Sequence, residues 1–234
     1  MELTPDSIVY WQAGWFKLNA TIAYTWLVMA LLGLAAALAK RDMRRHQGAP
    51  RRWHNALEAV VLYLRDEIDE VTGGRPAPWL LPLVGSLFLF IALSNALAPV
   101  PGYNPPTGSL STTAALAGIV FFAVPVYGIS KGGLRGWLRG YLKPTLLMLP
   151  FNVIGDFSRI LALAVRLFGN IMSGNMIGAI LLLIAPLVVP VLLQLLGLLT
   201  GMVHAYIFAV LALVYVAAAA ETQDQRHANK ETQT

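Results

Sequence analysis

The stretch Ile160-Leu-Ala-Leu-Ala-Val-Arg-Leu-Phe-Gly-Asn-Ile-Met-Ser-Gly-Asn175 leads into a tract from Leu167 to Ala220 that contains no Lys, Arg, Asp or Glu. A membrane helix needs roughly 20 apolar residues, so the tract is long enough for more than one span. Arg166 stands at its edge, and an arginine at the centre of a membrane helix costs roughly 2.5 to 3.5 kcal/mol. We expect Arg166 to serve a function that needs a fixed positive charge; a structural charge buried in its own helix bundle is the alternative.

Composition places the whole chain in a membrane. Of the 234 residues, 57% are hydrophobic and 12% are charged, with a mean hydropathy of +0.63, which is outside the range of an ordinary soluble domain. The basic residues lie beside apolar stretches, so we expect membrane lipid and no nucleic acid as a partner. The absence of cysteine excludes disulfides and thiolate chemistry.

Hydrophobic patterning predicts an all-α integral membrane protein with about five membrane helices. Uncharged stretches cover 21–39, 79–98 and 112–130, and two prolines within 185–190 divide the long tract into two arms. As continuous helices, 150–185 and 191–220 would extend about 54 Å and 45 Å, beyond the roughly 30 Å of hydrocarbon. We therefore expect the last two helices to form a long, steeply tilted hairpin at about 150–220.

Charge distribution predicts the topology. The segments after the first and third spans are strongly basic, which is typical of cytoplasmic loops. We expect an extracytoplasmic amino-terminal segment (1–20) without a cleaved signal, a single polytopic membrane domain (21–220) and a polar cytoplasmic tail (221–234). Within the domain, 54–72 has the apolar spacing of an amphipathic helix, either on the membrane surface or against a partner helix.

A polar stripe runs along the first arm of the hairpin. Arg159, Arg166 and Ser173 are seven residues apart and share a helix face, with Asn170 one turn beyond Arg166. Glycines at 169, 174 and 178 would let another helix approach and shield the arginine from lipid. On the second arm one face carries small and polar residues, which predicts a polar seam between the arms: Gly197, Gly201, His204, Phe208 and Tyr215.

Several of these polar residues have two interpretations. Asp156 and Arg159, three apart, either neutralise one another or form a polar entrance. His204 either makes a helix–helix hydrogen bond or contacts an ion path; metal ligation is not expected, because helical spacing brings no second ligand. Asn175 and Gln194 either hold helices together or line a channel.

Arg166-Leu-Phe-Gly-Asn-Ile-Met-Ser-Gly174 resembles the signature of subunit a of rotary F-type ATP synthases. The segments Leu149-Pro-Phe-Asn152, His204-Ala-Tyr-Ile-Phe208 and Pro106-Thr-Gly-Ser-Leu-Ser-Thr-Thr113 also resemble the family, and the likeness extends from about 79 to 220. It implies a non-catalytic stator subunit of the F0 sector in a bacterial inner membrane. Two half-channels would bring H⁺ or Na⁺ to and from carboxylates of a rotor ring, with Arg166 separating them and promoting ion release. The implied partners are the ring of c subunits, peripheral-stalk b subunits and the rest of the F1F0 complex, with no cofactor in this chain.

The chain departs from the family pattern at several polar positions. Asn152 stands where family members commonly have an acid, and Asn175 where an acid or a histidine is common. Ser109 replaces the acid of the Pro-Thr segment, and His204 stands where glutamine is usual. Few proton-relaying groups remain, so Na⁺ is as compatible as H⁺, and the departures also resemble the divergent sodium-type bacterial group called N-ATPases. The candidate ion-translocation residues are Arg166, Asn170, Asn175, His204, Gln194, Asn152, Asp156, Arg159 and Tyr215.

A second class of function is a self-contained secondary transporter that binds an anionic substrate at Arg166. Such a protein is expected to have paired broken spans or an internal repeat, and the sequence has neither. Because the chain also lacks a Gly-rich phosphate loop, we expect no catalysis by this chain itself.

Overall fold

The computed structural model describes residues 5–7, 9–13, 16–45, 52–74, 79–142, 148–184 and 189–231. A two-stranded antiparallel hairpin precedes six helices, and a single 3₁₀ turn, Pro106–Gly108, precedes the fourth helix. The elements are β1 (Val9–Ala13), β2 (Phe16–Asn19), α1 (Ala20–Arg45), α2 (Arg52–Val71), α3 (Leu80–Ala96), α4 (Leu110–Leu142), α5 (Met148–Ile184) and α6 (Val189–Glu231).

The predicted all-α membrane fold is confirmed. Among the described residues, four helices are long and apolar enough to cross a membrane: Ala20–Arg41, Leu110–Tyr127, Leu149–Leu183 and Val191–Ala218. The shorter apolar helix Leu80–Ala96 completes the expected number of about five. The small β1–β2 hairpin lies in the amino-terminal segment, ahead of the first span.

α3 lies at the centre of the core, although it has only 17 residues. Its side chains at Val84 and Ile91 are almost completely buried. α6 packs against it through a stripe of small residues at helical spacing, Ala205, Ala209 and Ala212, each with no exposed surface. Because small side chains let helix backbones approach, this stripe gives α3 its close contact with the hairpin.

α4 is interrupted near its carboxyl-terminal end. Pro125 lies inside the helix, and Gly133 has φ 66° and ψ 163°, which breaks the regular helical path. Positive φ with ψ near 160° is a conformation open to glycine and strained for other residues. The apolar span therefore ends before Gly133, close to the predicted boundary at 130.

α2 packs against the membrane helices through part of its apolar face. Leu64 and Ile68 are buried, and Cδ1 of Leu64 lies close to Gly85 of α3. Beside this buried face of α2, the Tyr206 hydroxyl of α6 donates a 3.2 Å hydrogen bond to Glu67 Oε1. The helix thus contacts both α3 and α6, and its position on a membrane surface stays a prediction.

α5 and α6 form the predicted hairpin, and both are longer than a perpendicular span. Their 37 and 43 residues correspond to about 55 Å and 65 Å of helix. Pro190 falls in the first turn of α6, where a missing backbone N–H costs nothing, while 185–188 lie outside the described residues. α6 continues through Glu231, into the segment predicted as a polar tail. Steep tilting relative to a bilayer stays a prediction.

Candidate functional site

Arg166 lies on the outer face of α5. Leu163, Ala164 and Leu167 are buried, so they form the face of α5 that packs against the rest of the molecule. Val165 and Arg166 are both exposed; Val165 lies on the opposite side of the helix, and Arg166 lies at the edge of the packed face. Within the part of the chain that the structure describes, no carboxylate lies within ion-pairing distance of Arg166. Arg166 is therefore not buried within the helix bundle of its own chain, which was the alternative interpretation.

The glycines near Arg166 do not bring another helix of this chain close to it. A methyl group placed on Gly169, Gly174 or Gly178 would meet nothing within 4 Å. The expectation that small residues let a helix shield the arginine is thus unmet among the described residues of this chain. The surface around Arg166 is open to whatever surrounds the protein.

A small cavity joins Arg166 to His204 at the edge between α5 and α6. Its volume is about 10 Å³, room for about one water molecule. The lining residues are Leu163, Arg166, Leu167, His204, Ile207 and Phe208. At this level of the hairpin two polar side chains, Arg166 and His204, line a cavity whose other lining residues are apolar.

The hydrogen bond of His204 determines which of its ring nitrogens is free. Nδ1 lies 2.8 Å from the carbonyl oxygen of Thr200, and because a carbonyl only accepts, Nδ1 carries the proton of this bond. In the neutral imidazole Nε2 is then an acceptor. The guanidinium of Arg166 only donates, so the two groups that share the cavity are complementary.

Arg159 connects α5 with α6 further along the hairpin. Its Nη1 lies 3.7 Å from Asp156 Oδ1, and its guanidinium carbon lies 6.0 Å from the ring centroid of Tyr215. The Arg159 side chain is 63% exposed, so this pair is screened by its surroundings and is worth at most about 1 kcal/mol. The geometry contains the predicted neutralising pair, and it also places three candidate residues together.

The other candidate residues are more dispersed. Asn152 and Asn170 are half-buried, whereas Asn175 and Gln194 are exposed. Asn175 lies beside the 3₁₀ turn, since its amide nitrogen would be 3.9 Å from a methyl group placed on Gly108. The described contacts do not bring Gln194 or Asn152 to Arg166.

Two clusters of hydrogen-bonded polar residues were not predicted from the sequence. In the first, the buried Asn95 of α3 donates to the carbonyl oxygen of Gly201 (2.9 Å) and accepts from the hydroxyl of Thr107 (2.9 Å). In the second, Asp6 accepts hydrogen bonds from Thr21 and Ser109, each 2.6 Å long. The Asn95 and Gly201 pair is 106 residues apart, so no local pattern could have revealed it.

Metal-binding chemistry finds no support in the described residues. No group of three or more His, Asp or Glu side chains comes together in that part of the chain. The histidine nearest to Arg166 uses one ring nitrogen on the Thr200 carbonyl. What the site offers is a fixed cation with the imidazole of His204 beside it.

Fold and site together define a multi-pass helical membrane protein that carries a fixed charge on its outer surface. A family model described as ATP synthase A chain matches residues 22–217. The chain is 56% identical to ATP synthase subunit a 2 of Acaryochloris marina, covering 97% of this chain and 96% of that protein. It is also 56% identical to ATP synthase subunit a 1 of Chlorobium luteolum (96% and 100% covered) and 52% identical to ATP synthase subunit a of Nitrosospira multiformis (94% and 86% covered).

The chain belongs to the ATP synthase A chain family. The resemblance seen at Arg166-Leu-Phe-Gly-Asn is thereby confirmed, as is the prediction of a non-catalytic membrane subunit of the F0 sector. Membership places the chain within an ATP synthase complex and supports a stator role. It favours that role over a self-contained transporter.

Proposed function

We propose that this chain is the ion-translocating stator subunit of a rotary ATP synthase, in which Arg166 separates two half-channels and faces passing carboxylates of a rotor ring. The observation that carries the proposal is the outward position of Arg166 on the hairpin. An uncompensated guanidinium on a membrane surface is costly, and a carboxylate from another subunit would compensate it. The rotor ring of c subunits is the partner with that chemistry.

Arg166 would act on the ring carboxylate through its charge. A guanidinium close to a carboxylate favours the ionised form, so the bound H⁺ or Na⁺ is released. The same charge repels a cation that would pass directly from one half-channel to the other. One residue therefore serves both for release and as a barrier to leakage.

His204 would hold the Arg166 guanidinium in place during the interval between one ring carboxylate passing it and the next. Its Nε2 can accept a hydrogen bond from Arg166, directly or through the single water for which their shared cavity has room. The contact keeps Arg166 at the edge between α5 and α6. The polar path along α5 would be continued by Asn170 and Asn175. A polar entrance would be formed by Arg159, Asp156 and Tyr215. The half-channels would be lined by Asn152 and Gln194.

The proposal also includes the membrane topology of the chain and its partner subunits. We place the amino terminus outside and the carboxyl terminus in the cytoplasm of a bacterial inner membrane. The last residues of α1 carry several basic side chains (Lys40, Arg41, Arg44 and Arg45), whereas the turn at 99–102 after α3 is uncharged. The 1–20 segment, the 21–220 membrane domain and the 221–234 tail keep the bounds predicted from the sequence. Peripheral-stalk b subunits would contact the parts of the surface that do not face the ring.

The test is Arg166→Ala in the assembled complex. We expect assembly to persist, ATP-driven ion pumping in inverted membrane vesicles to be lost, and passive ion leak to rise. Arg166→Lys should retain only part of the pumping, because a compact ammonium lacks the planar fork of guanidinium. The matched control is Arg65→Ala, an exposed arginine of α2. Normal coupled pumping by Arg166→Ala would refute the proposal, and solute transport by the purified chain alone in liposomes would favour a transporter.

A second measurement identifies the ion. Sodium added at constant pH should protect the ring carboxylates of the assembled complex against carbodiimide if Na⁺ is the transported ion, as the N-ATPase resemblance suggests. Protection that depends on pH alone would identify H⁺. Few titratable groups lie along α5 beyond Arg166, which is compatible with either ion.

A further inference from the structure

The part of α4 beyond its break forms a short second helix. The apolar span of α4 runs from Leu110 to Tyr127, and the regular helical path is interrupted at Gly133. Residues 134–142 are helical again. The helix between Tyr127 and Gly133 is about 9 Å long. Because the headgroup layer on one side of a bilayer is roughly 5 to 8 Å thick, the break lies near the level of the phospholipid headgroups.

An aromatic pair marks the end of the apolar span. The rings of Trp79, directly before α3, and Tyr127, the last residue of the span, are stacked with their centroids 4.2 Å apart. Trp and Tyr are enriched where a membrane protein meets the headgroups, because their rings are apolar and their N–H and O–H groups are polar. The pair is therefore consistent with a membrane surface between Tyr127 and the break at Gly133.

Residues 134–142 have an amphipathic pattern. At about 100° per residue, the apolar side chains fill one arc of about 140°, and two arginines stand at an edge of that arc. The apolar residues are Leu134, Trp137, Leu138, Tyr141 and Leu142, and the arginines are Arg135 and Arg139. Gly136 and Gly140 occupy the opposite side, and the segment contains no acid. Leu134 is 62% exposed, so the described residues of this chain leave most of that side chain uncovered.

This segment is a poor helix former by itself. Its two glycines each cost roughly 1 kcal/mol relative to alanine in a helix interior. Isolated helices shorter than about 12 residues are also marginal in water, even when they are rich in alanine. The helical conformation of 134–142 therefore needs a surface that takes up its apolar arc.

The positions of Arg135 and Arg139 indicate what kind of surface this is. They are four residues apart, so they share one edge of the apolar arc. A topological signal needs only basic charge in a loop and no arrangement on a helix. An apolar arc with a cationic edge is instead complementary to a membrane surface with apolar acyl chains and anionic headgroups.

We propose that residues 134–142 form an interfacial helix that lies along the cytoplasmic membrane surface and binds the headgroup phosphates of acidic phospholipids through Arg135 and Arg139. The apolar arc enters the boundary between headgroups and acyl chains, and the alkyl stems of the arginines stay in apolar surroundings. A guanidinium suits a phosphate because it donates two parallel hydrogen bonds. The inference rests on the proposed function for the side of the membrane on which α4 ends.

Acidic lipid bound here would act on the hairpin that carries Arg166. α5 begins at Met148, shortly after α4 ends at Leu142. A helix held at the membrane surface therefore limits where the first arm of the hairpin starts. The lipid would influence the position of that arm without entering the path of the ion.

The test measures contact between this helix and lipid in the assembled complex, reconstituted in vesicles. Because the chain has no cysteine, a nitrobenzoxadiazole fluorophore can be attached at Leu138→Cys, in a complex whose other subunits carry no reactive cysteine. The vesicles contain increasing mole fractions of a nitroxide-labelled lipid, either acidic phosphatidylglycerol or neutral phosphatidylcholine. We expect half-quenching at a mole fraction of the acidic lipid about fivefold lower than that of the neutral lipid, the factor that one basic residue near an acidic surface supplies.

Variants of the two arginines test the role of charge. Arg135→Gln with Arg139→Gln should reduce this preference to less than about twofold, because the charge is removed while most of the side-chain length stays. Arg135→Lys with Arg139→Lys should keep a preference for the acidic lipid, since both positive charges remain. Arg65→Gln, at an exposed arginine of α2, is the matched control and should leave the preference unchanged.

A second labelling position tests the orientation of the helix. Gly136 and Leu138 lie on opposite sides of it. The fluorophore at Gly136→Cys should therefore be quenched clearly less than the fluorophore at Leu138→Cys, by both lipids.

The proposal is overturned if, with both arginines present, the two lipids half-quench at equal mole fractions, or if neither lipid quenches at Leu138→Cys. The second result would mean that another subunit covers this helix. Equal quenching at Gly136→Cys and Leu138→Cys would also overturn it. These comparisons keep both arginines, so they decide the matter even if the glutamine variants assemble poorly. No readout uses pumping, so retained pumping in Arg166→Ala would remove the proposed function and leave the lipid result standing.

Discussion

Arg166 combines a high cost of burial with an outward position. Its charge cannot be removed by deprotonation, so its environment must accommodate a cation. Leu163 and Leu167 occupy the inward face of α5 and leave Arg166 on the outer one. His204 lines the same small cavity as Arg166, with its Nδ1 hydrogen-bonded to the Thr200 carbonyl.

Among the glycines that the structure describes, Gly201 is the one at which packing leaves the least room for a side chain. A methyl group there would lie 2.9 Å from Cβ and 3.1 Å from Cγ of Asn95, whose amide donates to the Gly201 carbonyl. Gly201→Ala should therefore destabilise the subunit by about 1 to 3 kcal/mol, because Cβ of Asn95 cannot move without α3. The check is the fraction of subunit retained in the purified complex as temperature is raised.

Gly197→Ala, one turn earlier on α6, is the matched control. No atom would lie within 4 Å of its new methyl group, so only the helix preference of alanine, up to about 1 kcal/mol in favour of stability, remains. Equal thermal retention of the two variants would show that α3 and α6 do not approach at Asn95 as described.

At the scale of elements, α4 and the α5–α6 hairpin exceed the length of a simple membrane crossing. In α4 the excess length is separated from the apolar span by a break at Gly133. The two helices of the hairpin instead extend well beyond the hydrocarbon thickness. α3 is the reverse case: it is short and lies in the core, against the alanine stripe of α6. The shortest of the six helices, α3, is thus enclosed by longer ones.

The break in α4 depends on a conformation that only glycine adopts without strain. Gly133→Ala should cost about 1 to 3 kcal/mol, because φ 66° with ψ 163° brings Cβ against the backbone. Gly118→Ala in the same helix is the control, since Gly118 has neither positive φ nor a neighbour within 4 Å of a new methyl group. Thermal retention in the complex measures both, and a Gly133→Ala variant as stable as Gly118→Ala would mean that α4 runs through without the break.

At the scale of the whole molecule, one outer face combines the polar stripe of α5 with apolar neighbours. Arg166 and Ser173 are exposed on it, and so are apolar side chains such as Val165 and Ile177. A large apolar surface around a charge is suited to lipid at most positions and to a partner subunit at the charge. The position of the rotor ring in the proposed function follows from this arrangement.

The absence of cysteine allows this face to be probed at single introduced sites. A benzophenone attached at Ser173→Cys should photo-crosslink to the ring subunit in the assembled complex, because Ser173 shares the face of Arg166. The same group attached at Phe122→Cys should not reach the ring. Phe122 is a residue of α4 that is 66% exposed and lies elsewhere on the surface. Crosslinking to the ring from Phe122→Cys, with none from Ser173→Cys, would place the ring on a different face.

The sequence alone determined the number of membrane helices, the hairpin and the family. These depend on local composition: apolar runs near 20 residues long, prolines at 186 and 190, and the uninterrupted signature around Arg166. Each can be read from one stretch of chain, since the cost of exposing backbone or charge to lipid constrains every stretch by itself. That Arg166 and His204 line one cavity agrees with the predicted meeting of their two helix faces, because both arms are regular helices with a known repeat.

Only the tertiary structure decided which way Arg166 faces, that Asn95 joins α3 to Gly201, and that Asp6 reaches Ser109. The hydrogen bond between Asp6 and Ser109 links residues 103 positions apart, in segments whose own patterns carry no sign of one another. Such contacts arise when helices pack and buried polar groups must find partners within the space that remains. Local composition sets which segments cross the membrane, whereas the satisfaction of polar groups after packing sets which of them meet.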